Sequence, residues 1–171
     1  MHGGARSTVR DVRRACRYDP AMPIEHRTGD LFAQQDLRAL AHGCNCAGAM
    51  GAGIAVQFKK RWPAMYQEYT RRCADGRFNP GDVFVWEADD QVILNLGTEK
   101  HWRTGATLDF IERSVRNLLV VCEAKRIDAV GMPRIGAGYG GLAWPDVEAT
   151  LTRASIGSAL RLVVVSLPPT K

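Results

Sequence analysis

Two glycine-rich runs, each directly after a short apolar stretch, constrain the fold of this chain more than any other feature. The first glycine loop is Gly48–Ile54 and the second is Pro133–Gly141. Glycine lacks a Cβ atom, so the chain can turn tightly there and bring backbone N–H groups close to a ligand. A helix that begins after such a turn adds unpaired donors and the positive end of its dipole, which favours anions. Two such loops, about 85 residues apart, are suited to hold a diphosphate from two sides.

The spacing of apolar residues predicts strands that alternate with helices. Short apolar runs predict strands over 24–27, 37–44, 82–87, 91–96, 129–132 and 161–167. Apolar residues at helical spacing predict helices over 52–61, 64–73, 107–125 and 145–155, with Thr107 as the cap of the third. This alternation predicts an α/β fold, a three-layer α-β-α sandwich around a mixed, partly parallel sheet. Ligands of such sheets bind beyond the carboxyl ends of the strands, where both glycine loops would lie.

Length and charge favour one globular domain. The 171 residues, 46% of them hydrophobic, are enough to build a single core. We expect residues 1–22 to be a basic leader, peripheral or disordered, and residues 23–171 to form the domain. The net charge is +5, but residues 1–21 alone carry five arginines against two aspartates, which leaves the remainder nearly neutral. Charge alone therefore gives weak support for a nucleic-acid partner.

The cysteines indicate reduced thiols. Five cysteines at irregular spacing do not form a disulfide framework, and no second pair joins Cys44 and Cys46 to complete a zinc site. No apolar stretch has the length of a membrane span, and the N-terminus lacks a signal-peptide core. We therefore expect a cytoplasmic location, no metal, no membrane contact and a monomer.

Neither glycine loop matches the common nucleotide-binding fingerprints. The first has the spacing G-x-x-G-x-G, not the G-x-G-x-x-G of dinucleotide-binding domains, and the chain contains no Gly-Lys-Ser/Thr for a Walker loop. A Rossmann dehydrogenase and a P-loop enzyme are therefore disfavoured.

Three motifs, in order and in spacing, resemble the macrodomain superfamily. They are Thr28–Phe32, Gly43–Ala55 and Met132–Gly138, and the resemblance extends over about residues 23–167. Within the superfamily, the chain resembles the branch of terminal ADP-ribose glycohydrolase-like proteins and of antitoxins that remove ADP-ribose from DNA. The segment Asn95–Arg103 is similar to those antitoxins.

The resemblance implies an ADP-ribose pocket, with ADP-ribose as ligand or product and no cofactor. Asp30 would accept a hydrogen bond from the adenine amino group and Asn45 would bind the distal ribose. As alternatives, Asp30 caps its own turn and Asn45 braces the loop backbone. The two glycine loops would hold the diphosphate, and Tyr139 is a candidate wall for the distal ribose. The ligand-binding candidates are Asp30, Leu31, Asn45, Met50, Gly51, Ala52, Gly53, Ile54, Arg134, Ile135, Gly136, Ala137, Gly138, Tyr139 and Gly140.

The catalytic candidates are Asn45, Glu99 and Lys100. Some relatives in the protein-acting branch use a lysine after the fourth strand and an aspartate in the second glycine loop. A gapless match puts Glu99 at the lysine position, with Lys100 one residue further on, and puts Gly140 at the aspartate position. Glu99 is a candidate base that activates water and Lys100 a candidate nucleophile. Each is also typical of a solvated loop charge.

We therefore expect a protein that binds ADP-ribose and hydrolyses mono-ADP-ribosyl modifications on acidic side chains of proteins. The alternatives are a non-catalytic reader of ADP-ribose and an enzyme that removes ADP-ribose from DNA. The segment Lys100–Arg103 favours DNA, because clustered cations and aromatic rings can contact phosphates and bases. The expected partners are ADP-ribose and a mono-ADP-ribosylated protein or, in the alternative, ADP-ribosylated DNA.

Overall fold

A computed structural model of the chain describes residues 24–169, which form one six-stranded sheet with helices on both faces. The strands are β1 (Ile24–Thr28), β2 (Ala39–Asn45), β3 (Val83–Glu87), β4 (Val92–Glu99), β5 (Ala129–Met132) and β6 (Arg161–Ser166). The helices are α1 (Ala55–Arg61), α2 (Pro63–Ala74), α3 (Leu108–Lys125) and α4 (Trp144–Ser155), and a 3-10 turn covers Leu31–Ala33. The predicted leader, residues 1–22, lies outside the described residues.

The strand order is β1-β6-β5-β2-β4-β3, with every neighbouring pair parallel except β3 and β4. The five parallel strands therefore bring their carboxyl ends to one edge of the sheet. Because β2 lies between β5 and β4, the loops that follow these three strands leave the sheet side by side. The mixed, partly parallel sheet that the sequence predicts is confirmed.

Successive strand residues pack on opposite faces of the sheet, as the period of a strand requires. Leu94 and Val164 belong to a core shared with α3 and α4. Ile93 and Val163 belong to a second core shared with α1 and α2. Two cores on opposite faces of one sheet make the three-layer sandwich that the alternation of strands and helices predicts.

The helix boundaries differ from the predictions by a few residues, for local reasons. Thr107 caps α3 as expected, since its hydroxyl accepts a hydrogen bond from the Phe110 N–H at 3.2 Å. Helix α1 begins at Ala55 and not at residue 52, because Gly53 lies at φ +58°, outside the right-handed helical region. The 3-10 turn was missed, because three residues are too few to show a helical period.

The thiols of the described residues are unpaired: Cys44, Cys46, Cys73 and Cys122 are all free. No helix within residues 24–169 is both long and apolar enough to cross a membrane. The same residues contain no group of three histidine, cysteine or acidic side chains placed to hold a metal ion.

A buried polar pair joins the centres of β2 and β4. Nε2 of His42 lies 2.8 Å from Oδ1 of Asn95, whose Nδ2 donates to the Phe84 carbonyl at 3.1 Å. The His42 ring also stacks on Phe58, with the ring centroids 3.8 Å apart. Burial lowers the pKa of His42 to about 4, because the charged imidazolium would lose its hydration in the core. His42 is therefore neutral at pH 7, with its proton on Nε2 to match the Asn95 oxygen.

Acid should destabilise the fold through His42. The folded pKa of about 4 lies below the ordinary value of 6.5, so below pH 6.5 the unfolded chain binds a proton that the folded chain excludes. The contribution of neutral His42 to the free energy of unfolding is thus fully present above pH 6.5. It is lost as the pH falls toward 4, and the total loss is about 3 kcal/mol. Urea unfolding measures the free energy of unfolding at pH 7 and at pH 4. Between these pH values, His42→Gln should lose about 3 kcal/mol less than the wild type loses. Equal losses in the two proteins would contradict this assignment.

Candidate functional site

A cleft of about 570 Å³ opens where β2, β4 and β5 end. Its walls are the two glycine loops, and its floor includes Asn45 from the end of β2 together with Thr98 and Glu99 from the end of β4. Trp102, in the turn after β4, lines the remaining side. A cleft of this volume matches a ligand of nucleotide size.

Most of the predicted ligand-binding residues line this cleft. They are Asn45, Met50, Gly51, Ala52, Gly53, Ile54, Arg134, Ile135, Gly136, Gly138, Tyr139 and Gly140. Asp30, Leu31 and Ala137 are not among the lining residues, and the Leu31 side chain packs in the core shared with α1 and α2. Sequence reasoning missed Thr98, although its place beside Glu99 at a strand end was a usable signal.

Asp30 caps the 3-10 turn that follows β1. Its Oδ1 accepts a hydrogen bond from the Phe32 N–H at 2.9 Å, and the residue is exposed. This is the turn-capping arrangement considered as an alternative from the sequence. A carboxylate has further acceptor capacity, so the contact with adenine stays a prediction.

Asn45 is the brace of the first glycine loop. Its Nδ2 donates to the Ala49 carbonyl at 2.7 Å, and its Oδ1 accepts from the N–H groups of Ala47 and Ala49 at 3.1 and 3.2 Å. The Tyr69 hydroxyl donates to the Asn45 carbonyl at 2.6 Å. The residue is only 7% exposed, yet it lines the cleft. Asn45 therefore fixes the loop backbone, and one amide hydrogen is left for a ligand.

The two glycine loops meet across the cleft at Gly53 and Tyr139. Tyr139 is 79% exposed, and one edge of its ring lies beside Gly53. A Cβ atom at position 53 would lie 3.3 Å from the tyrosine Cδ2, and the φ of +58° also disfavours any side chain there. Gly53 thus permits both the turn and the contact that brings the loops together.

The second glycine loop folds tightly on itself. A Cβ atom at Gly140 would lie 2.5 Å from the carbonyl oxygen and 2.7 Å from the Cα atom of Gly136. The Gly140 carbonyl accepts from the Ala106 N–H at 3.0 Å, which ties the loop to the segment before α3. The loop in this conformation therefore has no space for a side chain at position 140, an aspartate included.

Glu99 and Asn45 end neighbouring strands and lie side by side. They are partners in the parallel register of β2 and β4, directly after a register shift at Cys44 and Asn45. Glu99 is half-buried, and burial raises the pKa of its carboxyl group above the ordinary value of 4.5. A carboxylate with a raised pKa is a better base for proton transfer near neutral pH. Lys100, one residue further on, is exposed and does not line the cleft.

Aromatic rings and arginines surround the mouth of the cleft. Trp102 is about half exposed and stacks on His101, with the ring centroids 3.7 Å apart. Arg134 is exposed, with its guanidinium carbon 5.5 Å from the centre of the Trp144 ring. Together with Tyr139, these side chains give the rim both flat apolar faces and positive charge.

The model of the Macro domain family matches residues 41–151. This match covers more than half of the chain and includes both glycine loops. The chain therefore belongs to the Macro domain family, which confirms the family resemblance seen in the three sequence motifs.

The chain is similar to proteins named DNA ADP-ribosyl glycohydrolase. One from Mycobacterium tuberculosis is 38% identical over 135 residues, which cover 77% of this chain and 38% of that protein. One from Thermus aquaticus is 34% identical over 130 residues, which cover 74% of this chain and 36% of that protein. The chain thus spans less than two fifths of the length of these curated relatives.

A solved structure, the macrodomain of Mycobacterium tuberculosis DarG, has the same fold. It superposes with a TM-score of 0.77 at 37% identity, over 86% of this chain and 98% of that one. The structural likeness therefore extends over nearly the whole of that macrodomain. The sequence matches cover only a minor part of the curated relatives.

The crowding at Gly140 predicts opposite outcomes for two alanine substitutions in the same loop. Gly140→Ala should cost about 1–3 kcal/mol, because the new Cβ meets backbone atoms that cannot rotate away. Gly138→Ala should be neutral or slightly stabilising, because nothing lies within 4 Å of a Cβ there. Thermal unfolding of both variants measures this difference, and equal melting temperatures would refute the tight packing of the loop.

Proposed function

We propose that this chain is an ADP-ribosyl hydrolase that removes mono-ADP-ribose from a modified base of single-stranded DNA. The observation that carries the proposal is the cleft between the two glycine loops, with Asn45 and Glu99 side by side on its floor. Membership of the Macro domain family and the similarity to proteins named DNA ADP-ribosyl glycohydrolase support it.

The two glycine loops hold the diphosphate in this proposal. Glycines bring backbone N–H groups within reach of phosphate oxygens, and both loops line the same cleft. Asn45 fixes the first loop through its three contacts with residues 47 and 49. The donors are therefore arranged before the ligand arrives, which lowers the free-energy cost of ordering them.

Glu99 acts as the general base. A water oxygen attacks the anomeric carbon of the distal ribose, and the bond from that carbon to the acceptor breaks, with its electron pair leaving on the acceptor. The Glu99 carboxylate takes one proton from the attacking water, and the released acceptor takes a proton from solvent. The raised pKa of Glu99 suits this transfer. The proposed step requires no metal and no cofactor.

The rim of the cleft favours DNA as the acceptor over an acidic side chain of a protein. Exposed rings at Trp102 and Tyr139 offer faces on which unpaired bases can stack. Exposed Arg134 lines the cleft, and exposed Arg103 lies in the turn after β4, and both offer charge to the phosphates. An acidic protein side chain needs no such platform. The monomeric state and the cytoplasmic location stay predictions from the sequence.

Release of free ADP-ribose tests the function directly. The wild type should release it from a single-stranded oligonucleotide modified on one base, and more slowly from a protein modified on glutamate. Asn45→Ala should lower kcat/KM on the oligonucleotide about 100-fold, because the first glycine loop loses its brace and the ligand its alignment. Asn117→Ala is the matched control, since its Nδ2 contacts the Gly81 carbonyl outside the cleft, and it should retain turnover.

The same measurement separates the alternatives. Faster release from the modified protein would restore the acidic side chain as the preferred acceptor. Binding of ADP-ribose without release from either substrate would make the chain a reader and would end the hydrolase proposal.

Glu99 and Lys100 are distinguished by their variants. Glu99→Gln should lower turnover by about 100-fold or more and leave ADP-ribose binding intact, since it removes the base and keeps the shape. Lys100→Ala should have little effect, because Lys100 does not line the cleft. The opposite pattern would assign the chemistry to Lys100.

The pH profile gives an independent check on Glu99. The carboxylate is the active form, so wild-type kcat/KM should fall as the pH decreases through a raised pKa, with the midpoint above 4.5. The residual turnover of Glu99→Gln should lack this acid limb. An identical acid limb in the variant would show that another group titrates.

A further inference from the structure

One buried hydroxyl on the floor of the cleft has no partner within the protein. Among residues 24–169, Oγ1 of Thr98 is the only buried side-chain nitrogen or oxygen without a hydrogen bond. Thr98 is 1% exposed, and it lines the cleft. A buried polar group left unpaired costs stability, typically about 1–3 kcal/mol. Valine has nearly the shape of threonine without this cost, so the hydroxyl needs an explanation other than packing.

The neighbouring strand has a glycine next to the hydroxyl. A Cβ atom at Gly43 would lie 2.7 Å from Oγ1 of Thr98, closer than such contacts allow. Gly43 also lines the cleft, so the hydroxyl is buried beside a part of the cleft lining that has no side chain. Any larger residue at position 43 would displace the Thr98 side chain.

Thr98 lies where the reacting end of the ligand is expected. Thr98 directly precedes Glu99, and Glu99 is the register partner of Asn45. All three residues line the same cleft. In the proposed function, Asn45 and Glu99 flank the distal ribose, so this sugar is the part of the ligand that we expect nearest to Thr98.

We propose that the Thr98 hydroxyl hydrogen-bonds a hydroxyl of the distal ribose, after a small shift of the cleft lining beside Gly43 that exposes the buried Oγ1 atom. This inference rests on the proposed binding of ADP-ribose. Thr98 is then a binding residue whose unpaired state lowers the stability of the free protein, and the ligand satisfies it on binding.

Thr98→Val tests the proposal through effects of opposite sign. The variant should melt a few degrees higher than the wild type, because it removes an unpaired buried hydroxyl. It should nevertheless bind ADP-ribose about tenfold more weakly by titration calorimetry. Its affinity for ADP, which lacks the distal ribose, should not change. Thr98→Ser keeps the hydroxyl and should restore most of the ADP-ribose affinity.

Thr150→Val is the matched control. Thr150 is equally buried, but its hydroxyl donates to the Asp146 carbonyl at 2.9 Å within α4, outside the cleft. This variant should melt lower than the wild type and bind ADP-ribose normally. The pair separates a loss of ligand contact from a general effect of replacing threonine by valine.

The outcomes separate this inference from the proposed function. If the wild type binds ADP-ribose and Thr98→Val binds it equally well, the inference is overturned and the function stands. A lower melting temperature for Thr98→Val would also overturn it, because the hydroxyl would then support the fold. A wild type that does not bind ADP-ribose at all would overturn the proposed function, and this inference with it.

Discussion

The parallel pairing of β2 with β5 on one side and β4 on the other is the interaction on which the site depends. These ladders bring three strand ends to the same edge of the sheet. The residues after them come from distant parts of the sequence, yet they enclose one cleft. Without the pairing of β2 with β5, the two glycine loops would not leave the sheet side by side. The buried contact between His42 and Asn95 joins β2 to β4 further down the same ladder.

The end of β2 shows how this pairing becomes a ligand site. The register shift at Cys44 and Asn45 sets Asn45 opposite Glu99. Beyond that point the backbone of the first glycine loop is held by the Asn45 side chain and by the Tyr69 hydroxyl. The strand thus provides the position, and side-chain hydrogen bonds provide the shape of the loop. A loop held in this way can present its N–H groups to a ligand with little further ordering.

The sequence was sufficient for the strands, the helices and the two loops, because strand and helix periods are local properties of the chain. Thr107 marked the start of α3, and both glycine loops lie where the strand pattern predicts. The contacts of Asn45 and Asp30 were less accessible to prediction. Each residue type suits a ligand or its own backbone, and only the three-dimensional structure shows the hydrogen bonds to Ala49 and Phe32. Thr98 was not predicted, because an unpaired hydroxyl is defined by its surroundings and not by its place in a motif.

The contact between Gly136 and Gly140 limits which sequences this loop can adopt. The backbone of one glycine fills the space where the side chain of the other would begin. Every single substitution at position 140 therefore meets main-chain atoms, whatever its chemical character. A side chain can enter there only if the loop takes another path, which requires coordinated changes at several positions. The loop conformation thus makes every single substitution at position 140 costly, so a side chain is best accepted there together with a change elsewhere in the loop.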